Sequence, residues 1–173
     1  MTGLPGLRGV EHVGLTVPDL EAAEAFLCGV LGAELVFDGG EISGADAMTR
    51  ILGTHAANRC RYRFYRLGTG LNLEVFEYLD VESDAHPGNA ARGGHHIALY
   101  VDDISAAAAH LKAHDVELSG SPEHVDRGPA AGSDWLYFKA PWGLQMELVS
   151  FPHGKAYEME ANVKLWSPLR PAD

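Results

Sequence analysis

Two histidines and two glutamates recur at matching places in this chain of 173 residues. His12 opens the run His-Val-Gly-Leu-Thr-Val-Pro-Asp-Leu, and His96 opens His-Ile-Ala-Leu-Tyr-Val-Asp-Asp-Ile, which aligns with it without a gap at an offset of 84. Glu74 sits inside Leu-Asn-Leu-Glu-Val-Phe (71–76), and Glu147 inside Leu-Gln-Met-Glu-Leu-Val (144–149). Imidazole nitrogen and carboxylate oxygen are the donors of a Zn, Ni, Co, Mn or Fe(II) site rather than of a thiolate structural site. Carboxylates are also general acids and bases. His12, Glu74, His96 and Glu147 are therefore the expected ligands of one divalent cation, with Glu74 and Glu147 also the expected catalytic groups. Taken singly, each histidine reads as a hydrogen-bonded strand residue and each glutamate as a solvated one. Their recurrence at equivalent positions favours a shared site.

The elements that must position these four residues can be read from periodicity. In His12 to Val17 the apolar Val13, Leu15 and Val17 alternate with His12, Gly14 and Thr16, the period of a strand with one buried face. Ile97, Leu99 and Val101 alternate likewise with His96, Ala98 and Tyr100. Leu71, Leu73 and Val75 oppose Asn72, Glu74 and Phe76, and Leu144, Met146 and Leu148 oppose Gln145, Glu147 and Val149. An alanine-rich segment follows each histidine strand, with Asp19 and Asp103 placed to cap a helix and Gly32 placed to end the first one. Each helix covers the apolar face, so the face carrying His and Glu points into whatever the sheets enclose. A mid-strand glutamate buried without a partner costs several kcal/mol, and a cation is the partner that both would share. The expected fold is α+β: two tandem βαβββ modules, at 9–80 and 92–151, supply eight strands with a helix over one face of each sheet, and a C-terminal extension covers 152–173.

Composition narrows the partners. The 13 Lys and Arg against 24 Asp and Glu give a net charge of −11, a field that repels phosphate backbones and anionic lipid. Neither nucleic acid nor a membrane is expected as partner, and no run approaches the ~18 apolar residues of a membrane span. No export signal is visible in Met1 to Arg8, and Cys28 and Cys60 form no framework, so the cytoplasm is the expected location. Of the nine histidines, the other seven (His55, His86, His95, His110, His114, His124 and His153) read as loop, helix or second-row residues.

These motifs resemble the vicinal oxygen chelate superfamily, which includes glyoxalase I, epimerases, extradiol dioxygenases and bleomycin or fosfomycin resistance proteins. The resemblance runs from about Val10 to about Phe151 and rests on the paired His-x-x-x-x-Val-x-Asp-[Leu/Ile] starts. It rests also on the run Phe-Lys-Ala-Pro-Trp-Gly-Leu-Gln-Met-Glu-Leu (138–148), with Ala140 where the family has Asp. It implies two modules cupped around a metal held by the first and last strands of each, and it often implies a homodimer.

Four protein ligands on an octahedral ion leave two positions, enough to chelate adjacent oxygens of a small hydroxy-carbonyl substrate. That points to enediolate-type proton transfer by an isomerase, epimerase or glyoxalase-like lyase, with a sugar-derived cyclitol among the substrates that fit. An extradiol Fe(II) dioxygenase, the first alternative, needs a three-ligand triad that Glu74 would crowd. A metal-free binding or resistance protein is the second. Tyr100, on the His96 face, is expected to bind substrate or to pack beneath it. Arg59, Arg61 and Arg63 alternate opposite Cys60, Tyr62 and Phe64, forming either a solvated edge or an anion-binding stripe in which Arg63 touches substrate. The 38–58 stretch, with a helix-like piece at 45–52, and the 120–134 stretch are expected to lie over the cup. The tail, with Tyr157, Val163, Leu165 and Trp166, is expected to pack along the surface or across a dimer partner.

Overall fold

The computed structural model describes residues 10–81, 87, 93–162 and 164–171. The glycine-rich start, His86 and Val163 lie outside the described residues. The chain divides into two units, Met1–Ser83 and Asp84–Asp173, and the fold is α+β with one βαβββ module in each.

In the first unit β1 (His12–Thr16) leads into α1 (Leu20–Gly29), followed by β2 (Glu34–Ile42), β3 (Cys60–Arg66) and β4 (Asn72–Tyr78). The sheet order is β1-β4-β3-β2, with β1 and β4 parallel and the other pairs antiparallel. The Asp19 carboxylate accepts from the Ala22 N–H at 2.7 Å and starts α1. Gly32, at φ +75°, turns the chain out of the helix while the Ala33 N–H reaches back to the Leu27 carbonyl; a residue without Cβ adopts that conformation without strain. Leu20, Ala23, Phe26 and Leu27 of α1 are buried, as are Leu15, Val17, Leu73, Val75 and Tyr65 of the strands. The helix thus covers the face that the alternation pattern assigned to it. A short π-helical turn, Ala47–Ile51, occupies part of the stretch expected to be helical, while β2 extends to Ile42 and takes up the start of the expected loop.

Glu77 is drawn under α1. Its carboxylate accepts from the Leu20 N–H at 3.1 Å and from Arg61 at 2.6 Å. Nearby, Arg61 bonds Glu21, and Arg63 bonds Asp38, Glu21 and Glu24. The Arg61 guanidinium holds Glu21 below the usual carboxylate range, and Arg63 does the same to Asp38. A carboxylate whose pKa is lowered on folding stabilises the fold above its unfolded value, about 4. That contribution disappears as pH falls through the lowered folded values. The Glu21 and Asp38 contribution to the urea midpoint is therefore expected to be constant above about pH 4 and to be lost below it. A midpoint that rises as pH falls below about 4 would overturn this assignment.

The second unit repeats the order as β5 (His96–Tyr100), α2 (Ile104–Ala113), β6 (Glu123–His124), β7 (Asp134–Lys139) and β8 (Gln145–Ser150), in a sheet ordered β5-β8-β7-β6. Asp103 caps α2 through the Ala106 N–H at 2.9 Å. Ile104, Ala108 and Leu111 of the helix are buried, with Leu136, Phe138, Leu144, Met146 and Leu148 of the sheet. After β8 a 3-10 turn, Ala156–Met159, is tied down by Ala156 N–H to the Ala131 carbonyl and Tyr157 N–H to the Pro129 carbonyl. Beyond it Leu165 and Trp166 are exposed rather than packed. Among the described residues no helix is long and apolar enough to cross a membrane.

Candidate active site

In the first module the parallel register pairs His12 with Asn72 and Gly14 with Glu74. His12 and Glu74 therefore share the sheet face that α1 leaves uncovered. The His12 Nε2 and Glu74 Oε2 atoms are 3.2 Å apart, with 39% and 20% of the side chains exposed. On its other side the His12 Nδ1 shares a short hydrogen bond with the Glu11 carboxylate, which also accepts from the Asn72 amide at 2.9 Å. The Glu11 bond raises the His12 pKa, with a smaller push from the Glu74 charge. With Nδ1 committed to Glu11, the neutral ring presents its Nε2 lone pair on the Glu74 side, an orientation that suits a metal-ligating histidine.

The second module builds the same pair. His96 Nε2 and Glu147 Oε2 are also 3.2 Å apart, with 38% and 15% of the side chains exposed. Burial pushes the Glu147 carboxyl up, against the opposing charges of His96 and Lys155. An aromatic ring supports each histidine edge-on. Phe64 meets His12 at 5.4 Å and 80°, and Tyr137 meets His96 at 5.4 Å and 86°. Both rings come from the third strand of their module, at the residue paired with the glutamate, Phe64 with Glu74 and Tyr137 with Glu147. The repeat therefore extends to the supporting rings, which sequence reading missed. The signal was the alternation of β3 and β7, but naming these residues required the strand register.

Two metal–ligand bonds of 2.0–2.2 Å set 90–110° apart place their donor atoms roughly 3.0–3.5 Å from each other. The 3.2 Å separation in each module fits that spacing, and neutral nitrogen with carboxylate oxygen fits a divalent transition metal. Among the described residues no group of three or more His, Cys, Asp or Glu side chains is placed to hold a metal ion. Each module presents two donors.

Tyr100 lies on the same face as His96, four residues along β5 and paired with Val149. Arg63 does not join its module's pair. It pairs with Val75 on β4, so it projects to the α1 side of the sheet, and its guanidinium is engaged by Asp38, Glu21 and Glu24 with 14% of the side chain exposed. Its position under α1 and its three carboxylate partners set Arg63 apart from the face that carries His12 and Glu74. Arg61 shares that face, and Arg59 is paired with Asp80 and Glu41. On the open face of the first module stand the rings alternating with them. Phe37 stacks on Phe64 at 4.8 Å, and Tyr62 stacks on Phe76 at 5.7 Å. A Cβ on Gly39 would meet the Tyr62 ring at 2.0 Å, so only glycine lets β2 pass over that ring.

The family model of the glyoxalase/bleomycin resistance protein/dioxygenase superfamily matches residues 9–148. The chain belongs to this superfamily, the vicinal oxygen chelate proteins. A 2-epi-5-epi-valiolone epimerase from Actinomyces sp is 42% identical over 168 residues, which cover 96% of this chain and 92% of that protein. The uncharacterized protein YaeR of Escherichia coli (strain K12) is 30% identical over 144 residues, 83% of this chain and 96% of that one. Among solved structures, a glyoxalase family protein from Bacillus cereus superposes with a TM-score of 0.67 at 19% identity, covering 86% of this chain and 98% of that one. The trypanothione-dependent glyoxalase I of Leishmania major gives 0.57 at 21% identity, covering 83% and 87%. At those identities the solved structures establish the shared fold. With the epimerase matched over nearly its whole length, this vicinal oxygen chelate protein is an enzyme of the isomerase/epimerase kind.

Proposed function

We propose that this enzyme inverts a carbon centre next to the carbonyl of a small polyhydroxylated cyclic ketone, and that 2-epi-5-epi-valiolone or a near relative is the substrate. The observation that carries the reading is the duplicated His–Glu pair, one carboxylate per module beside a histidine on a sheet face left open by the helix. Epimerisation by a two-base route uses two proton-handling groups, one for each face of a planar enediolate. Glu74 and Glu147 supply them: one removes the proton, and the other returns one to the opposite face. Burial of Glu147 raises its carboxyl pKa, which makes it a stronger base for carbon acids than a solvated carboxylate. The 42% identity to the valiolone epimerase supports the substrate class.

His12, Glu74, His96 and Glu147 are the residues that would hold a divalent cation. When bound, such an ion supplies Lewis acidity, lowering the cost of negative charge on the carbonyl oxygen. A dioxygenase reading fits less well, because Glu74 lies beside His12 where a facial triad leaves room for oxygen. A metal-free binding protein has no use for the duplicated pairs. The free thiols Cys28 and Cys60 fit a reducing cytoplasm, and a homodimer is proposed from the habit of the superfamily.

The test is the fate of the proton. In D2O the enzyme is expected to place deuterium at the carbon beside the ketone while interconverting the epimers, followed by NMR. Metal analysis is expected to find a transition metal, and prolonged chelation is expected to abolish turnover until the ion is returned. No deuterium uptake into 2-epi-5-epi-valiolone or related cyclic ketones would overturn the function. Full turnover after complete metal removal would overturn the metal.

A further inference from the structure

The two modules match closely at the His–Glu pair and stop matching one residue pair further along the open face. Next to Gly14 and Glu74 the first module places Thr16 against Phe76; next to Ala98 and Glu147 the second places Tyr100 against Val149. The same face continues past β8 to Phe151, whose ring Tyr100 meets edge-on at 4.8 Å. Lys155 lies over that ring, with its ammonium 4.3 Å from the ring centre.

Among the described residues, two polar groups around Phe151 lack a hydrogen-bonding or ionic partner of ordinary geometry. The Tyr100 hydroxyl oxygen is buried beside Ser150 and the Phe151 backbone, yet it makes no hydrogen bond of ordinary geometry. Lys155 has no carboxylate within ion-pair reach among the described residues, although its charge is felt by Glu147. An ammonium in that setting is normally solvated or paired, and a buried phenol normally finds an acceptor. Nor is Lys155 placed by chance. Its N–H donates to the Glu158 carboxylate at 3.0 Å, the Glu158 N–H returns to its carbonyl, and Arg170 anchors the other Glu158 oxygen at 2.8 Å. The backbone is fixed, while among the described residues the side-chain head meets the Phe151 ring and no carboxylate.

We infer that Lys155 and Tyr100 form a donor pair, seated on Phe151, that grips an oxygen substituent of the substrate on the Glu147 side of the site. This rests on the proposed epimerisation of a polyhydroxylated ketone and deepens it. The two open faces carry equivalent proton-handling groups, so a substrate with two different ends needs some asymmetric contact to fix its orientation. The first module offers Thr16 at the position of Tyr100. The ligand chemistry is a hydroxyl or enolate oxygen, which accepts from both an ammonium and a phenol.

The experiment measures epimerisation of 2-epi-5-epi-valiolone by wild type, Lys155→Met, Lys155→Arg and Tyr100→Phe, with thermal unfolding of each. A hydrogen bond to a charged donor corresponds to on the order of tenfold to a hundredfold in binding. Lys155→Met is accordingly expected to raise KM about tenfold or more at an unchanged melting temperature, because the Glu158 box uses only the Lys155 backbone. Lys155→Arg is expected to recover most of that loss. Tyr100→Phe removes a hydroxyl that the free protein leaves unsatisfied, so it is expected to unfold no earlier than wild type while raising KM. Wild-type KM in both Lys155→Met and Tyr100→Phe would overturn the donor pair and leave the proposed function standing. Loss of activity in step with a lowered melting temperature, unrepaired by Lys155→Arg, would also overturn it. No turnover or deuterium exchange by wild type would overturn the functional reading itself.

Discussion

Glu147→Gln and Glu74→Gln are each expected to lower epimerisation by about 10²–10⁴-fold, the range that a general acid or base contributes. Glutamine keeps the shape and hydrogen-bonding capacity of the side chain but cannot take a proton at neutral pH. The informative quantity is the exchange that survives. If one carboxylate serves each face, a variant lacking one can still remove and return the proton on its intact side. Each variant should then wash deuterium from D2O into one epimer without inverting it, and the two variants should label opposite epimers. A single-base enzyme gives a different result, with one variant inert toward both epimers and the other close to wild type. Because the same carboxylates are proposed to hold the cation, the metal content of each variant must be measured beside its rate. Retained metal with lost inversion identifies the proton role, whereas lost metal identifies the ligand role. The environments differ in a way that ranks the two. Glu147 is the more buried, its carboxyl is pushed up, and Lys155 is close enough for its charge to matter. Glu74 stands beside a histidine whose pKa is raised by Glu11.

Much of the site was legible because the repeat and the two-residue period of a strand constrain each other. An 84-residue offset places His96 over His12, and alternation then assigns both to the face opposite Leu15 and Leu99. The same alternation places Glu74 opposite Leu73 and Val75, and Glu147 opposite Met146 and Leu148. The structure puts each His–Glu pair on the open face, at the same 3.2 Å separation. What one sequence could not supply was register. Arg61 and Arg63 alternate with Tyr62 and Phe64, and both sets contain large side chains able to line a site. Only the antiparallel pairing of Arg63 with Val75 and of Phe64 with Glu74 shows which set faces the glutamate. The rings do; the arginines go under the helix. Polar residues on a helix-covered face break the expected pattern, and they are tolerated because α1 brings Glu21 and Glu24 to meet them. Lys155 was illegible for another reason: it follows the last strand, beyond the part of the chain that the repeat compares.

Arg63→Met is expected to show that this arginine stabilises the fold rather than the substrate. The guanidinium holds Asp38 at 2.9 Å, Glu21 at 3.0 Å and Glu24 at 3.1 Å, while Glu24 also accepts from the Tyr65 hydroxyl at 3.1 Å. Tyr65 is fully buried, and burial is the main reason its pKa is pushed up to about 12. Removing the positive charge leaves Glu24 with the Tyr65 hydroxyl, Glu21 with Arg61 and Asp38 with the Gly40 N–H as their donors. Breaking a fully buried ion pair costs about 3–5 kcal/mol. Here Glu21 and Asp38 are more than half exposed and can be resolvated, which reduces the expected loss to about 1–3 kcal/mol. For a chain of this size that corresponds to a fall in melting temperature of roughly 2–12 °C. Methionine keeps most of the aliphatic bulk of the side chain, so lost packing contributes little. KM for the ketone is expected to stay within about twofold, since the side chain projects from the sheet face opposite His12 and Glu74. The two readouts separate the roles: an unchanged melting temperature with a tenfold rise in KM would return Arg63 to the substrate. A lowered one with wild-type KM places the arginine with α1, and leaves the open face to the rings, the paired carboxylates and the donors around Phe151.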